Sequence, residues 1–522
     1  MATLILTILG FKIKKLRDKL EVCFKLYYNY NARREFTMNN VRTRFAPSPT
    51  GYMHIGNLRT ALYEYLVAKG QGGDFILRIE DTDQNRYVEG AVEIIYDTLK
   101  SVGLIHDEGP DVGGEFGPYT QSERLGIYKE YAVKLIEAGG AHYCFCSEED
   151  IAKQREDAEA AGTPFKFRDP CHRYTPTEAQ AKVDAGSSYV VRQTIKPGEP
   201  CVYHDEVYGE ITVEREILDE SILLKSDGFA TYNFANVIDD HLMAITHVVR
   251  GNEYLSSTPK YNLIYDSFGW QRPTYVHLPP VMKDEQNKLS KRNGDASFQD
   301  LVSKGYLGKA VLNYIALLGW SPETEQEIYT LEELTKAFSV ARCSKSPAIF
   351  DIEKLKWMNG MYLRALSLDE FHELALPWLN QAIHRVCDLK EVSKILQQRV
   401  SVLGEIPEMV DFIDELPEYD VEMYFHKKMK TDKEICIRAL EASLEVYHGI
   451  QNWENVDELQ ASIQALPEKL GLKNGQVYWP IRTAMTGKQF TPGGALEMPY
   501  ILGKEEAIHR TKVGLHKLRE IK

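Results

Sequence analysis

The sequence contains no run of eighteen apolar residues, so no transmembrane helix is predicted. It also lacks an excess of positive charge: 62 Lys and Arg stand against 76 Asp and Glu, a formal net charge of −14. That balance excludes bulk electrostatic adhesion to nucleic acid but leaves room for a local basic patch. Cysteines are few and scattered. Of the eight, only Cys144 and Cys146 are near neighbours, with Cys171 next. This does not read as a disulfide framework, and a reducing, cytoplasmic setting is expected. Internal repeats and low-complexity linkers are missing too. A secretory signal is not seen either: the apolar stretch from Thr3 to Leu9 precedes Lys12, Lys14, Lys15, Arg17 and Lys19, the reverse of signal-peptide order. Residues 1–38 have no serine yet carry Asp18, Glu21 and Glu35, a poor fit to a transit peptide. They are read as a non-conforming extension, with Met38 the expected start of the protein proper.

What is present is ordinary globular composition, 43% hydrophobic and 26% charged, over 522 residues. That length is too great for one core and suggests three or four domains. Val41 to Ala46 reads as a strand, and Pro47-Ser48-Pro49-Thr50-Gly51 forces a turn. Leu58, Ala61, Leu62, Tyr65 and Leu66 then recur at helical spacing, with Gly70 the expected C-cap. Phe75 to Ile79 is the next strand. Residues 41–79 are therefore expected to form a βαβ unit, the start of a nucleotide-binding parallel sheet. The rhythm breaks between 140 and 225, an expected insertion holding the cysteines and a polar helix from Glu148 to Ala161. It resumes with strands at Ile245–Val249 and Tyr275–Leu278 around a helix opened by Thr258-Pro259. From Phe298 onward the pattern is mostly helical; Leu459, Ile463, Leu466 and Leu470, for example, share a helical face.

Two short strings carry chemistry. His54-Ile55-Gly56-Asn57 sits where the turn becomes a helix, and a helix N-terminus offers unpaired N–H groups to a phosphate. The plainer alternative is that His54 only caps the helix. Lys288-Leu289-Ser290-Lys291-Arg292 is a small basic loop whose lysines could neutralise charge on a transferring nucleotidyl group, or else be a solvated loop. Either string alone is weak; in this order and on these elements they point to an ATP-phosphate site.

With Arg44 to Gly51, Phe75 to Asp83, Ser226 to His241 and Lys356 to Gly360, these strings closely resemble the bacterial-type glutamyl-tRNA synthetases. They are that family's form of the class I signatures usually written HIGH and KMSKS, and the likeness runs from about Val41 to the C-terminus. One departure is Asn57, where the generic signature has a second histidine. The resemblance implies an α/β fold: a Rossmann-type parallel-sheet catalytic domain with an inserted α+β acceptor-binding domain, followed by an all-α anticodon-binding region. It implies adenylation of L-glutamate by ATP with Mg2+ and transfer to tRNA(Glu), leaving open whether tRNA(Gln) is also charged. His54, Lys288 and Lys291 would be catalytic, with Gly56, Asn57, Tyr254 and Ser290 completing the ATP site. Glu80 would hold the glutamate ammonium, Arg44 and Arg250 its side-chain carboxylate, with Ala46, Ser48, Tyr232 and Asn236 around them. Without the family, Glu80 would read as a surface carboxylate and Arg250 as a strand-end salt bridge.

Cys144-x-Cys146, then twenty-four residues, then Cys171-His172 has the composition of a tetrahedral zinc site. Some family members carry zinc at this spacing, but the expected fourth position is Arg173, which cannot ligate. Two alternatives stand: structural zinc on Cys144, Cys146, Cys171 and His172 (or Tyr174), or ordinary reduced cysteines. Arg399 falls where the family inspects the anticodon, and Val477 to Gly487 resembles its terminal motif. The expected division is 39–140 with 226–297 catalytic, 141–225 acceptor-stem binding, 298–374 stem-contacting and 375–522 anticodon binding, in a monomer with no membrane attachment. Two rivals are the shortened paralogue that glutamylates queuosine, which lacks an anticodon domain, and a catalytically dead RNA-binding relative.

Overall fold

The computed structural model describes residues 40–83, 86–163, 165, 167, 169–289 and 297–521. The extension 1–38 and the candidates Ser290, Lys291 and Arg292 lie outside the described residues. Two compact units are formed, one of Met1–Asp300 with Leu312–Phe350 and the other of Leu301–Val311 with Asp351–Lys522. The first is mixed α/β. Its strands are β1 (Arg42–Phe45), β2 (Asp74–Leu77), β3 (Ala141–Cys144), β4 (Val190–Gln193), β5 (Cys201–Asp205), β6 (Gly209–Val213), β7 (Ile222–Leu224), β8 (His247–Gly251) and β9 (Thr274–Leu278). Three of its helices position the site: α1 (Ile55–Gly70), α2 (Tyr232–Leu242) and α3 (Thr258–Phe268).

The expected βαβ unit is there. β1 and β2 pair in parallel, Arg42 opposite Asp74, with α1 as the crossover. β8 and β9 are also parallel, joined by α3, and β1 lies beside β8, where Thr246 N donates to Arg42 O at 3.0 Å. The periodic residues Leu58, Ala61, Leu62 and Leu66 of α1 are buried, but so are Tyr63, Glu64 and Val67. The helix is covered on its second side by residues after 312: Tyr63 Oη donates to Ala316 O at 3.0 Å and its ring meets Phe338 at 4.8 Å. Gly70 proves to be the last helical residue rather than the cap; Gln71 caps it, and Gly72 takes the left-handed conformation at φ 68°.

Residues 141–225 divide between two sheets. β3, β4 and β7 form an antiparallel sheet of their own, Ala141 opposite Gln193. The hairpin β5–β6 instead joins the parallel strands, because Asp205 pairs with Tyr275, giving the order β6-β5-β9-β8. Asp205 also makes the hairpin turn, its Oδ1 accepting from Val207 N at 3.0 Å and Tyr208 N at 2.8 Å.

The second unit is helical, with α4 (Leu368–Ala382), α5 (Lys433–Gly449), α6 (Asn474–Thr486) and α7 (Lys504–Glu520) among its helices. Phe371, Leu440, Ile481 and Leu518 are in its core. The face expected through Leu459, Ile463, Leu466 and Leu470 is broken after Gln464, since Pro467 starts a new short helix, Leu466–Leu470. The Val477–Gly487 string lies on α6 and its helix cap, with Val477, Ile481, Ala484 and Met485 buried and Trp479 Nε1 donating to Met423 O at 2.8 Å. Among the described residues, no helix is long and apolar enough to cross a membrane.

Candidate active site

Beyond the carboxyl ends of β1 and β2 the two segments stay paired: Arg78 N donates to Phe45 O at 2.9 Å and Glu80 N to Pro47 O at 3.1 Å. Ala46, Ser48 and Glu80 are thereby brought to the edge where open α/β sheets take ligands. Ser48 is exposed and Glu80 buried. Beneath them lies a buried network of arginines and carboxylates. Arg44 donates to Asp240 Oδ1 (2.9 Å) and Glu64 Oε1 (3.0 Å); Arg78 donates to the same Asp240 oxygen (2.7 Å) and to Glu80 Oε1 (3.0 Å). Arg124, Gln121 and Tyr128 all donate to Asp239 at 2.7 to 2.9 Å. Burial works against the charges of Arg44, Arg78, Glu64, Glu80 and Asp240. At Asp240, Arg44 and Arg78 outweigh it and hold the carboxyl below its ordinary range. At Glu64 burial wins over Arg44, and the carboxyl lies well above that range; Glu80 is raised the same way.

Arg250 stands apart. It is 5% exposed, yet among the described residues no carboxylate lies within ion-pair reach of it. Its Nε donates to His277 Nε2 at 3.1 Å and its Nη2 to Thr258 Oγ1 at 2.7 Å. The rings of Tyr254, Tyr261 and Tyr275 surround it at 5.1, 4.9 and 5.5 Å. Aromatic faces offset part of the cost of burying a cation, about 0.5–2 kcal/mol each, but do not cancel its charge. The strand-end salt bridge considered for this residue is therefore not what forms. Tyr232 packs on Tyr254 with ring centroids 5.2 Å apart, and burial, with Arg250 opposing, lifts its hydroxyl well above the ordinary range, so it is a neutral donor. Tyr254, expected with the ATP residues, thus groups with Tyr232 and Arg250. The amide of Asn236, also on α2, donates to the Tyr232 carbonyl of its own helix.

His54 is both cap and link. Its Nδ1 accepts from Gly56 N at 2.9 Å, so Nε2 carries the proton and donates to Leu289 O at 3.1 Å. Gly56 is half-buried against this ring, and Asn57 is exposed. The basic segment is held at both flanks: Leu289 N donates to Val281 O at 3.1 Å, and Phe298 N to Met53 O at 3.0 Å. Lys288 is exposed. In the helical unit, Arg399 is exposed in the turn after the helix Leu389–Gln397.

The cysteines come together with a different fourth group from the one expected. Cys144, Cys146, Cys171 and Asp169 place their ligand atoms within 4.8 Å of one another. Cys146 Sγ is 3.8 Å from Cys171 Sγ and 3.6 Å from Asp169 Oδ1. A tetrahedron with metal–sulfur bonds of about 2.3 Å has edges of about 3.8 Å, so the residues fit a zinc ion. Burial, reinforced by Asp169, pushes the Cys144 thiol up to about 11. His172 lies elsewhere, grouped with His142 and Glu220, its Nε2 2.8 Å from Glu220 Oε1. Cys171 and His172 are consecutive in the 3-10 turn Pro170–Arg173, where successive side chains diverge by about 120°. Asp169 caps that turn, Oδ1 accepting from Cys171 N at 2.8 Å, which turns its carboxylate toward the thiols.

Comparison with known proteins gives this geometry a family. Residues 40–357 match the family described as tRNA synthetases class I (E and Q), catalytic domain, and residues 370–515 match an anticodon binding domain. The chain belongs to the class I tRNA synthetases of this glutamate-and-glutamine branch. It is 58% identical over 485 residues to a glutamate–tRNA ligase of Clostridium botulinum, covering 92% of this chain and 99% of that one. A glutamate–tRNA ligase of Clostridium acetobutylicum is equally similar, 58% over 483 residues, with the same coverage of both chains. Among solved structures, a glutamate tRNA ligase from Elizabethkingia meningosepticum, in complex with its amino acid, superposes with a TM-score of 0.82 at 33% identity, covering 92% of this chain and all of that one.

Sequence reasoning missed Glu64, Arg78, Asp239, Asp240, Asp205 and His277. A signal existed for two of them: Arg78 and His277 each interrupt an apolar run, where an ionisable residue needs a partner. The contrast between the two kinds of arginine is testable by urea denaturation. Asp240→Asn, which strips the shared counter-charge from Arg44 and Arg78, is expected to cost about 3 kcal/mol or more. Arg250→Met is expected to be neutral or stabilising, because it removes a buried charge that no carboxylate among the described residues offsets. The opposite ranking would contradict the assignment of charges.

Proposed function

We propose the following reaction for this chain, a glutamate–tRNA ligase: ATP-dependent activation of L-glutamate and its transfer to the 3′ end of tRNA(Glu). The observation that carries the substrate choice is Arg250, a buried guanidinium whose charge no carboxylate among the described residues offsets. It is the receptor for the side-chain carboxylate of glutamate, with the neutral Tyr232 hydroxyl as a further donor. Glu80 takes the α-ammonium, and Arg44, fixed by Asp240 and Glu64, frames the pocket with Ala46, Ser48 and Asn236. Glutamine would leave Arg250 facing a neutral amide, and a charge left unpaired in a dry site discriminates strongly.

In the first step an oxygen of the glutamate α-carboxylate attacks the α-phosphorus of ATP. The bond to the bridging oxygen breaks and pyrophosphate leaves. A terminal ribose hydroxyl of tRNA then attacks the acyl carbon, AMP leaves, and the hydroxyl proton is released. Mg2+ bound with the ATP phosphates supplies positive charge to their oxygens. The protein positions the reactants and stabilises charge. His54 presents an Nε2 proton, and the N-terminus of α1 with Gly56 and Asn57 seats the phosphates. Lys288, Ser290 and Lys291 attend the transferring group, and Tyr254 lines the passage between the ATP and glutamate sides.

The proposal assigns 39–140 with 226–297 to catalysis, 141–225 to the acceptor stem, 298–374 to stem contacts, and 375–522 with Arg399 to the anticodon. It describes a cytoplasmic monomer whose described cysteines are all free thiols. The match to an anticodon binding domain over 370–515 favours it over the shortened paralogue. Cys144, Cys146, Cys171 and Asp169 would hold a zinc ion that braces the turn at Pro170–Arg173.

Charging of purified tRNAs with radiolabelled glutamate tests the reaction. Product on tRNA(Glu) is expected; product on neither tRNA(Glu) nor tRNA(Gln) would overturn the proposal, and product on both would make the enzyme non-discriminating. Metal analysis tests the zinc reading: about one zinc per chain is expected, lost in Asp169→Ala and retained in His172→Ala. A metal-free wild-type protein after refolding in zinc would refute it.

A further inference from the structure

Arg250 is positioned by groups that neither the family strings nor the comparisons mark. His277 and Asp205 are fully buried, and His277 Nδ1 lies 2.6 Å from Asp205 Oδ2. The same carboxylate accepts from the backbone N of His277 (3.1 Å), Val207 (3.0 Å) and Tyr208 (2.8 Å), so its own orientation is fixed. An acceptor at Nδ1 assigns the ring proton there, and Nε2 keeps its lone pair for the Arg250 Nε–H at 3.1 Å. A second proton at Nε2 would set two donors against each other.

We infer that Asp205, acting through the tautomer of His277, positions Arg250 and thereby sets the preference for glutamate over glutamine. The inference rests on the reading of Arg250 as the carboxylate receptor. Its physical logic concerns charge. A carboxylate touching Arg250 directly would hold the guanidinium equally well but neutralise it, as Asp240 does for Arg44. An imidazole interposed between Asp205 and Arg250 transmits orientation without cancelling the charge. Nη2 is held by Thr258, and Nη1 makes no bond to the described residues. The hairpin β5–β6 delivers Asp205, and its one pairing to β9, Asp205 opposite Tyr275, is what brings the carboxylate beside His277. That explains why a segment leaving the insertion returns to the catalytic sheet. Burial and the nearby Arg250 hold the imidazole below its ordinary range against the pull of Asp205, consistent with a neutral ring.

The test is glutamate-dependent ATP–pyrophosphate exchange with tRNA(Glu) present, on Asp205→Asn, His277→Leu, His277→Gln and Arg250→Gln. Asp205→Asn presents an amide to the ring, which then accepts at Nδ1 and turns a protonated Nε2 on Arg250. A rise of about tenfold or more in glutamate KM is expected, with ATP KM unchanged and discrimination against glutamine reduced about as much. His277→Leu, which removes the acceptor, is expected to match it. His277→Gln can accept from Arg250 and donate to Asp205, and is expected to stay within about threefold of wild type. Melting temperatures are read alongside; should Asp205→Asn not fold, the Leu and Gln variants of His277 decide. Unchanged glutamate KM in folded Asp205→Asn and His277→Leu, or equal damage from Leu and Gln, would overturn the relay. Arg250→Gln separates the two layers: if it too leaves glutamate KM unchanged, the carboxylate-receptor reading has failed; if it alone raises KM, only the relay has.

Discussion

One carboxylate oxygen, Asp240 Oδ1, accepts from Arg44 at 2.9 Å and from Arg78 at 2.7 Å, and the site depends on that sharing. It ties the end of β1, the segment after β2 and helix α2 into a single buried frame. Each charge in the frame is tolerable only because another is within bonding distance. Tight pairing there is what makes Arg250 stand out. In the frame the protein pairs Arg44, Arg78 and Arg124 with carboxylates, and among the described residues it leaves Arg250 to neutral partners.

The phosphate side follows the same economy of means. His54 spends one ring nitrogen on capping α1, which fixes the tautomer and aims the proton on the other at the carbonyl of Leu289. The signature at the start of the sheet is thus bonded to the edge of the basic segment, and the residues flanking that segment return to Met53 and His54. Positioning at both flanks is by backbone bonds, from Leu289 N to Val281 O and from Phe298 N to Met53 O.

Much of this was legible beforehand. The βαβ unit, the polar helix, the later strands and the helical C-terminal region follow from periodicity and turn residues. Glu80 and Tyr232 fall within the motif strings, and the structure puts Glu80 just past β2, Tyr232 at the start of α2 and Arg250 near the end of β8. What sequence hides is pairing at long separation. Arg44 and Asp240, or His277 and Asp205, are brought together only by the folded sheet. The same limit explains the cysteine cluster: Cys171-His172 reads as two ligands, but a 3-10 turn sends the adjacent side chains apart and turns Asp169 inward instead. Chain order alone places the hairpin β5–β6 with the insertion, because nothing in it signals pairing with a strand some seventy residues further on.

The central claim is that an uncompensated buried charge at Arg250 chooses the amino acid. The ratio of kcat/KM for glutamate to that for glutamine, in pyrophosphate exchange by the unmodified enzyme with tRNA(Glu), measures it most directly. A site built this way is expected to favour glutamate by about a thousandfold or more. A ratio within about tenfold of unity would contradict the account, because a neutral side chain would then satisfy Arg250 nearly as well as a carboxylate.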